Sequence, residues 1–107
     1  MAQHIKSSLG GAVKYADSGR KIHRVLVCSG SGGNYLGDVI AGGYDALISA
    51  DIKHNVFIDA VNSGVTVFDA GHYTSENIIV KPLCNELKVA FSGIEFSEFN
   101  NDKIKSV

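Results

Sequence analysis

At 107 residues, with 45% hydrophobic and 20% charged side chains, the chain has the make-up of one globular domain rather than a disordered segment. Ten basic against eleven acidic residues leave a formal net charge of −1, so no basic excess exists to release counterions from nucleic acid or to hold a membrane surface. No apolar run approaches the ~20 residues of a membrane span, Met1-Ala2-Gln3-His4 opens no secretory stretch, and the isolated thiols Cys28 and Cys84 read as reduced, buried cysteines of a cytoplasmic protein.

In chain order, residues 2–9 predict a short helix that stops at Gly10-Gly11. Residues 12–16 alternate as a half-exposed strand, Asp17-Ser18-Gly19 turns the chain, and residues 22–28 form a second strand. So short a connection predicts an antiparallel hairpin at the amino terminus. Residues 29–33 are a glycine-rich loop, and residues 34–41 a helix closed by Gly42-Gly43. A buried strand follows at 45–49, then a helix at 53–62 with Val56, Ala60 and Val61 on one stripe. Residues 65–69 are β-branched and apolar, a further strand. The longest helical pattern runs over 72–90, with Ile78, Ile79, Leu83, Leu87 and Phe91 at helical spacing. Pro82 lacks an N–H and predicts a break near Lys81. Residues 94–99 alternate apolar and polar as a terminal strand, and 100–107 form a polar tail. Strands alternating with helices predict a single α/β domain over 1–107, with a mostly parallel sheet and an N-terminal hairpin.

In such a sheet, ligands gather where strands hand over to helices. Most of the polar residues with chemical potential fall in three such turns. In the last, His72 and Glu76 stand four apart, which on one helix places them ~5–6 Å apart on a shared face. An imidazole and a carboxylate suit zinc, manganese or iron. Equally, Glu76 could complement the helix dipole and His72 could be a hydrogen-bonded loop residue, with Thr74 as the cap. In the middle turn, Asp51 and His54 are candidates for support of a metal or for acid/base work, and Asp51 reads as well as the cap of a helix starting at Ile52. The first turn, Gly30-Ser31-Gly32-Gly33, has the context of a phosphate-holding loop. It lacks the lysine and serine/threonine of a P-loop, and Tyr35 stands where a dinucleotide fingerprint has its third glycine. Glycines that merely make the turn explain it equally.

The order of the three turns resembles a known family. Residues 22–33 are similar to the strand and GSG turn of the Nif-three-like family, 45–53 to its D-x-x-[IV]-[ST]-G-[DE]-[IL]-K segment, and 69–76 to its closing D-x-G-H-x-x-T-E signature. The resemblance covers nearly the whole chain and implies the carboxyl-terminal half of a three-layer α/β fold with two metal ions between its halves. It implies His72 and Glu76 as ligands to a divalent metal (zinc, manganese or iron), completed by a His-His pair and an Asp from the amino-terminal half. Some members are known as GTP cyclohydrolase I type 2, so a complete protein would be a metal-dependent hydrolase, with a nucleotide or phosphorylated small molecule as substrate. This chain has no His-His pair, Ala50 replaces the usual glycine, and Asn55 replaces a common histidine, with His54 one place early. Alone it is expected to hold metal weakly and catalyse little. A non-catalytic module that self-associates, or binds the missing half, is the alternative.

Overall fold

The computed structural model describes residues 1–105. Helix α1 (Ala2–Leu9) ends at Gly10, whose φ of 81° and N–H to the Lys6 carbonyl make the left-handed cap that glycine adopts without a Cβ penalty. There follow β1 (Lys14–Ala16), β2 (Val25–Ser31), a 3-10 turn (Gly33–Tyr35), α2 (Leu36–Ala41), β3 (Ala46–Ala50), α3 (His54–Asn62), β4 (Thr66–Asp69), α4 (His72–Asn77) and α5 (Val80–Ala90). No described helix is long and apolar enough to cross a membrane.

The sheet order is β1-β4-β3-β2, with β2, β3 and β4 parallel and β1 antiparallel to β4. The sheet is mostly parallel as expected, but the expected hairpin does not form: its two strands lie at opposite edges. Residues 17–24 instead cross the amino rim. There the Ser18 N–H donates to Thr66 Oγ1 at 3.1 Å, and the N–H groups of Arg24 and His23 both donate to Asp45 Oδ2 at 2.8 Å. Those two N–H groups, Arg24 first, hold the Asp45 carboxyl below its ordinary range. The connection is fastened as a strap under β4 and β3, which leaves β1 free to pair with β4.

Strand alternation sorts the core onto two faces. Leu26, Leu47 and Val67 meet Val39 of α2 and Val56 and Ala60 of α3 on one side. Ala46, Ile48 and Phe68 meet Ile5 of α1 on the other. The result is three layers, helix on sheet on helix, with Leu47 and Val67 fully enclosed at the centre.

Two expectations for the last third change. The helical run breaks at Ile78–Ile79 rather than near Lys81, and Pro82 sits in the first turn of α5. The bond that Pro82 fails to give is the one to the carbonyl four residues earlier, on Ile78, so the interruption falls there. Residues 94–99 form no strand, because they pair with neither sheet edge, and Ile94 and Phe99 stay exposed. The radius of gyration, 16.3 Å, exceeds the ~13 Å of a compact chain this size, and the longest dimension reaches 54 Å. The tail lacks regular structure through Lys105; its last two residues lie outside the described ones.

Candidate metal centre

Because β2, β3 and β4 run parallel, their carboxyl ends share one rim. Asp69 closes β4 and is 5% exposed. Its Oδ2 accepts from the Ile52 N–H at 3.1 Å and its Oδ1 from the Gly71 N–H at 3.0 Å, with Lys14 Nζ at 3.7 Å. One buried carboxylate thus ties the loop after β3 to the turn after β4. Asp51 precedes Ile52 and His72 follows Gly71, so this tie sets how far apart those two stand. Asp69 is not among the candidates that the sequence marks. Its signal was an acid closing an apolar strand, which once buried must find N–H partners.

Asp51 does not cap α3. That helix starts at His54, with Lys53 at the cap position and no side-chain cap. Asp51 instead takes a left-handed backbone, φ 52°, which aspartate tolerates better than most residues. Its carboxylate turns to His72, with Oδ2 2.6 Å from Nδ1.

Gly71, not Thr74, stands at the cap position of α4, so His72 is the first helical residue and Glu76 lies one turn on. Nε2 of His72 is 3.1 Å from Oε2 of Glu76. The Thr74 hydroxyl donates to the Ala70 carbonyl, and Ser75 Oγ donates to the His72 carbonyl at 3.0 Å while accepting the Gly30 N–H at 3.1 Å. That last bond pins α4 to β2.

Gly30 lies in a bulge of β2. Val27 pairs with Ile48 and Ser31 with Ala50, so β2 carries extra residues here, and Gly30 has φ 65°. A Cβ on Gly30 would overlap Glu76 Oε1 and press on His72 Nε2 at 3.4 Å. The expected glycine loop is in large part strand, since Gly30 and Ser31 belong to β2. The Gly30 N–H is committed to Ser75 and its carbonyl accepts the Ser49 hydroxyl at 2.9 Å. Gly32 packs on Ser49 and Cys28, and Gly33 opens the 3-10 turn. Close packing explains Gly30 and Gly32.

The structure therefore brings Asp51, His72 and Glu76 together. His54 opens α3 on the surface and shares no described hydrogen bond or ion pair with them.

The pKa of His72 is raised from its ordinary value, first by the hydrogen bond to Asp51 and then by the charge of Glu76. When Nδ1–H is given to Asp51, Nε2 is left as the donor atom facing Glu76, and only a proton or a metal cation reconciles that lone pair with a carboxylate at 3.1 Å. Nitrogen and oxygen donors fit zinc, manganese or iron. Asp51 holds the opposite ring nitrogen and cannot reach the same cation. Among the described residues no group of three or more His, Cys, Asp or Glu gathers around one point. The donor set fits one side of a site that takes three or four ligands.

A family model described as Duf34/NIF3 (NGG1p interacting factor 3) matches residues 1–103. The chain belongs to this family. A GTP cyclohydrolase 1 type 2 homolog of Deinococcus radiodurans is 38% identical over 79 residues, which are 74% of this chain and 30% of that protein. Another, from Pseudomonas aeruginosa, is 29% identical over 91 residues, 85% of this chain and 36% of that protein. The crystal structure of a Staphylococcus aureus hypothetical protein matches at a TM-score of 0.83 and 31% identity, over 99% of this chain and 38% of that one. This chain spans about a third of the length of the curated relatives it matches.

Proposed function

We propose that this chain carries two ligands of a divalent-metal centre, Nε2 of His72 and the carboxylate of Glu76, and that the centre when complete is a metal-dependent hydrolase. The observation that supports this most is the 3.1 Å approach of those atoms at the sheet's carboxyl rim, with Asp51 gripping the other ring nitrogen at 2.6 Å. Asp51 orients the imidazole and selects the tautomer that presents Nε2. Gly30 keeps the space in front of both donors free of side chain. A divalent cation there supplies Lewis acidity for attack by water. The remaining donors come from the amino-terminal half that the family resemblance describes, and the names of the relatives favour a nucleotide as substrate. On this reading the isolated chain binds zinc, manganese or iron weakly and turns over little.

A second reading, a non-catalytic interaction module, draws on the apolar residues exposed along α5 and the tail, among them Leu83, Phe91 and Phe99. Titration calorimetry separates the two. The metal reading expects zinc or manganese heat in the parent chain that disappears in His72→Ala. Absence of heat, even with the amino-terminal part of a relative supplied, rules it out.

A further inference from the structure

The rim is hollow on both sides of His72. One hollow, of about 690 Å³, is walled in part by Lys14, Asp51, Asp69 and His72. The other, of about 400 Å³, has Tyr73, Glu76, Val80 and Ile104 in its wall. Both fall in the size range of small-molecule sites. His72 and Tyr73 belong to both walls, so the imidazole stands on the ridge between the two.

The larger hollow owes its one cation to the topology of the sheet. Because β1 runs antiparallel to β4, it begins where β4 ends, and Lys14 stands opposite Asp69. No other lysine or arginine lines either hollow among the described residues. The Lys14 side chain is 76% exposed, and its Nζ lies 3.7 Å from Asp69 Oδ2, beyond hydrogen-bond range. Both Asp69 oxygens already accept backbone N–H groups, so Asp69 does not need the lysine. Its three ammonium donors are left for something else. The other carboxylates of this hollow are engaged as well: Asp51 holds His72, and Asp102 accepts the Ile104 N–H at 3.0 Å. Gly10, Gly11 and Ala12 line the same wall and add no bulk to it. Across the ridge, Tyr73 and Val80 offer a flat apolar surface.

We infer that Lys14 positions the phosphoryl group of the substrate beside the metal, and that the hollow walled by Tyr73 and Val80 takes the ring attached to it. The inference rests on the metal reading above and names how that site holds a nucleotide. A phosphate gripped on one side of His72 and a ring on the other fix the atoms between them at the ridge, which is how remote contacts orient a reacting centre. Lys14 touches the substrate's anion and takes no proton from it; it is a positioning residue.

The test is an amide NMR titration of the whole metal-free chain with guanosine monophosphate, inorganic phosphate and guanosine. The nucleotide should move Gly11 and Lys14 together with Tyr73 and Val80. Phosphate should move only the first pair and guanosine only the second, each binding more weakly than the nucleotide. Lys14→Ala, with its fold verified by circular dichroism, should weaken nucleotide binding about five- to tenfold, the worth of one charge-assisted contact. Lys14→Arg should restore most of it, and zinc heat should be the same in both variants as in the parent. No shift with any of the three compounds, shifts centred elsewhere, or binding indifferent to Lys14→Ala overturns the inference and leaves the metal reading standing. Zinc heat lost in Lys14→Ala would mean that the lysine only braces Asp69, and overturns it too. Nucleotide binding at Lys14 in a chain that takes no zinc, even with the amino-terminal part of a relative supplied, removes the metal reading and with it the placement beside a cation.

Discussion

The sheet with its two helix layers and the arm made of α5 and the tail obey opposite rules. In the sheet, Leu47 and Val67 lose all contact with water and Phe68 keeps 3% of its surface. In the arm, Leu83, Phe91 and Ile94 each leave about half exposed, and α5 buries only Cys84. The same kinds of side chain are core in one region and surface in the other. The body satisfies its own hydrophobic demand, whereas the arm carries a pattern that suits a covering partner. The candidate metal pair sits at the joint, on α4, which is fastened to the body by Ser75 and continues into the arm.

The sharpest way to break this contrast is to delete leucine side chains on both sides. Leu47→Ala should cost ~2–5 kcal/mol by urea unfolding, through lost transfer energy and the cavity left behind. Leu83→Ala should change stability by no more than ~0.5 kcal/mol, as exposed substitutions do. Equal losses would mean that the arm is packed in solution by the chain itself.

A smaller effect tests how the body controls the joint. Asp69→Ala leaves the Ile52 and Gly71 N–H groups without their acceptor, and should cost ~1–3 kcal/mol. It should also weaken zinc binding, by loosening the spacing of Asp51 and His72. Asp51→Asn, on the surface, should leave the urea midpoint nearly unchanged.

The smallest effect is one of pH. Asp51 and Glu76 raise the pKa of His72 in the folded chain, so folded His72 holds its proton to higher pH than unfolded His72. Its stabilising contribution is complete below the unfolded value of about 6.5 and is lost as pH rises through the folded one. An NMR titration of the metal-free chain should place the His72 midpoint above its ordinary value of 6.5. Asp51→Asn should bring it down, and a midpoint indifferent to that change would remove Asp51 from its orienting role.

Much of this was legible in the sequence because it is local. The four-residue spacing of His72 and Glu76 carried over once Gly71 proved to start the helix, and apolar runs around Leu47 and Val67 marked the central strands. The failures are non-local. The short connection predicts a hairpin, but β1 takes its partner from β4, some fifty residues away, and no nearby residue records that choice. The alternation over residues 94–99 states a preference for a strand, and no sheet edge takes it up. Asp51 looked like a cap because helix-capping chemistry is the usual task of an aspartate there; its left-handed backbone redirects it to a histidine in another turn. Gly30 looked like a loop glycine, yet what it spares is room for Glu76, which arrives from far along the chain.

Everything proposed for this rim requires Nε2 of His72, beside Glu76, to be a metal donor. Imidazole nitrogen NMR spectra recorded before and after zinc read it directly. Zinc should move the Nε2 resonance of His72 into the range of a metal-ligated nitrogen, while Nδ1 stays protonated against Asp51 and His4, His23 and His54 do not respond. A zinc response at His54 with none at His72 would contradict it.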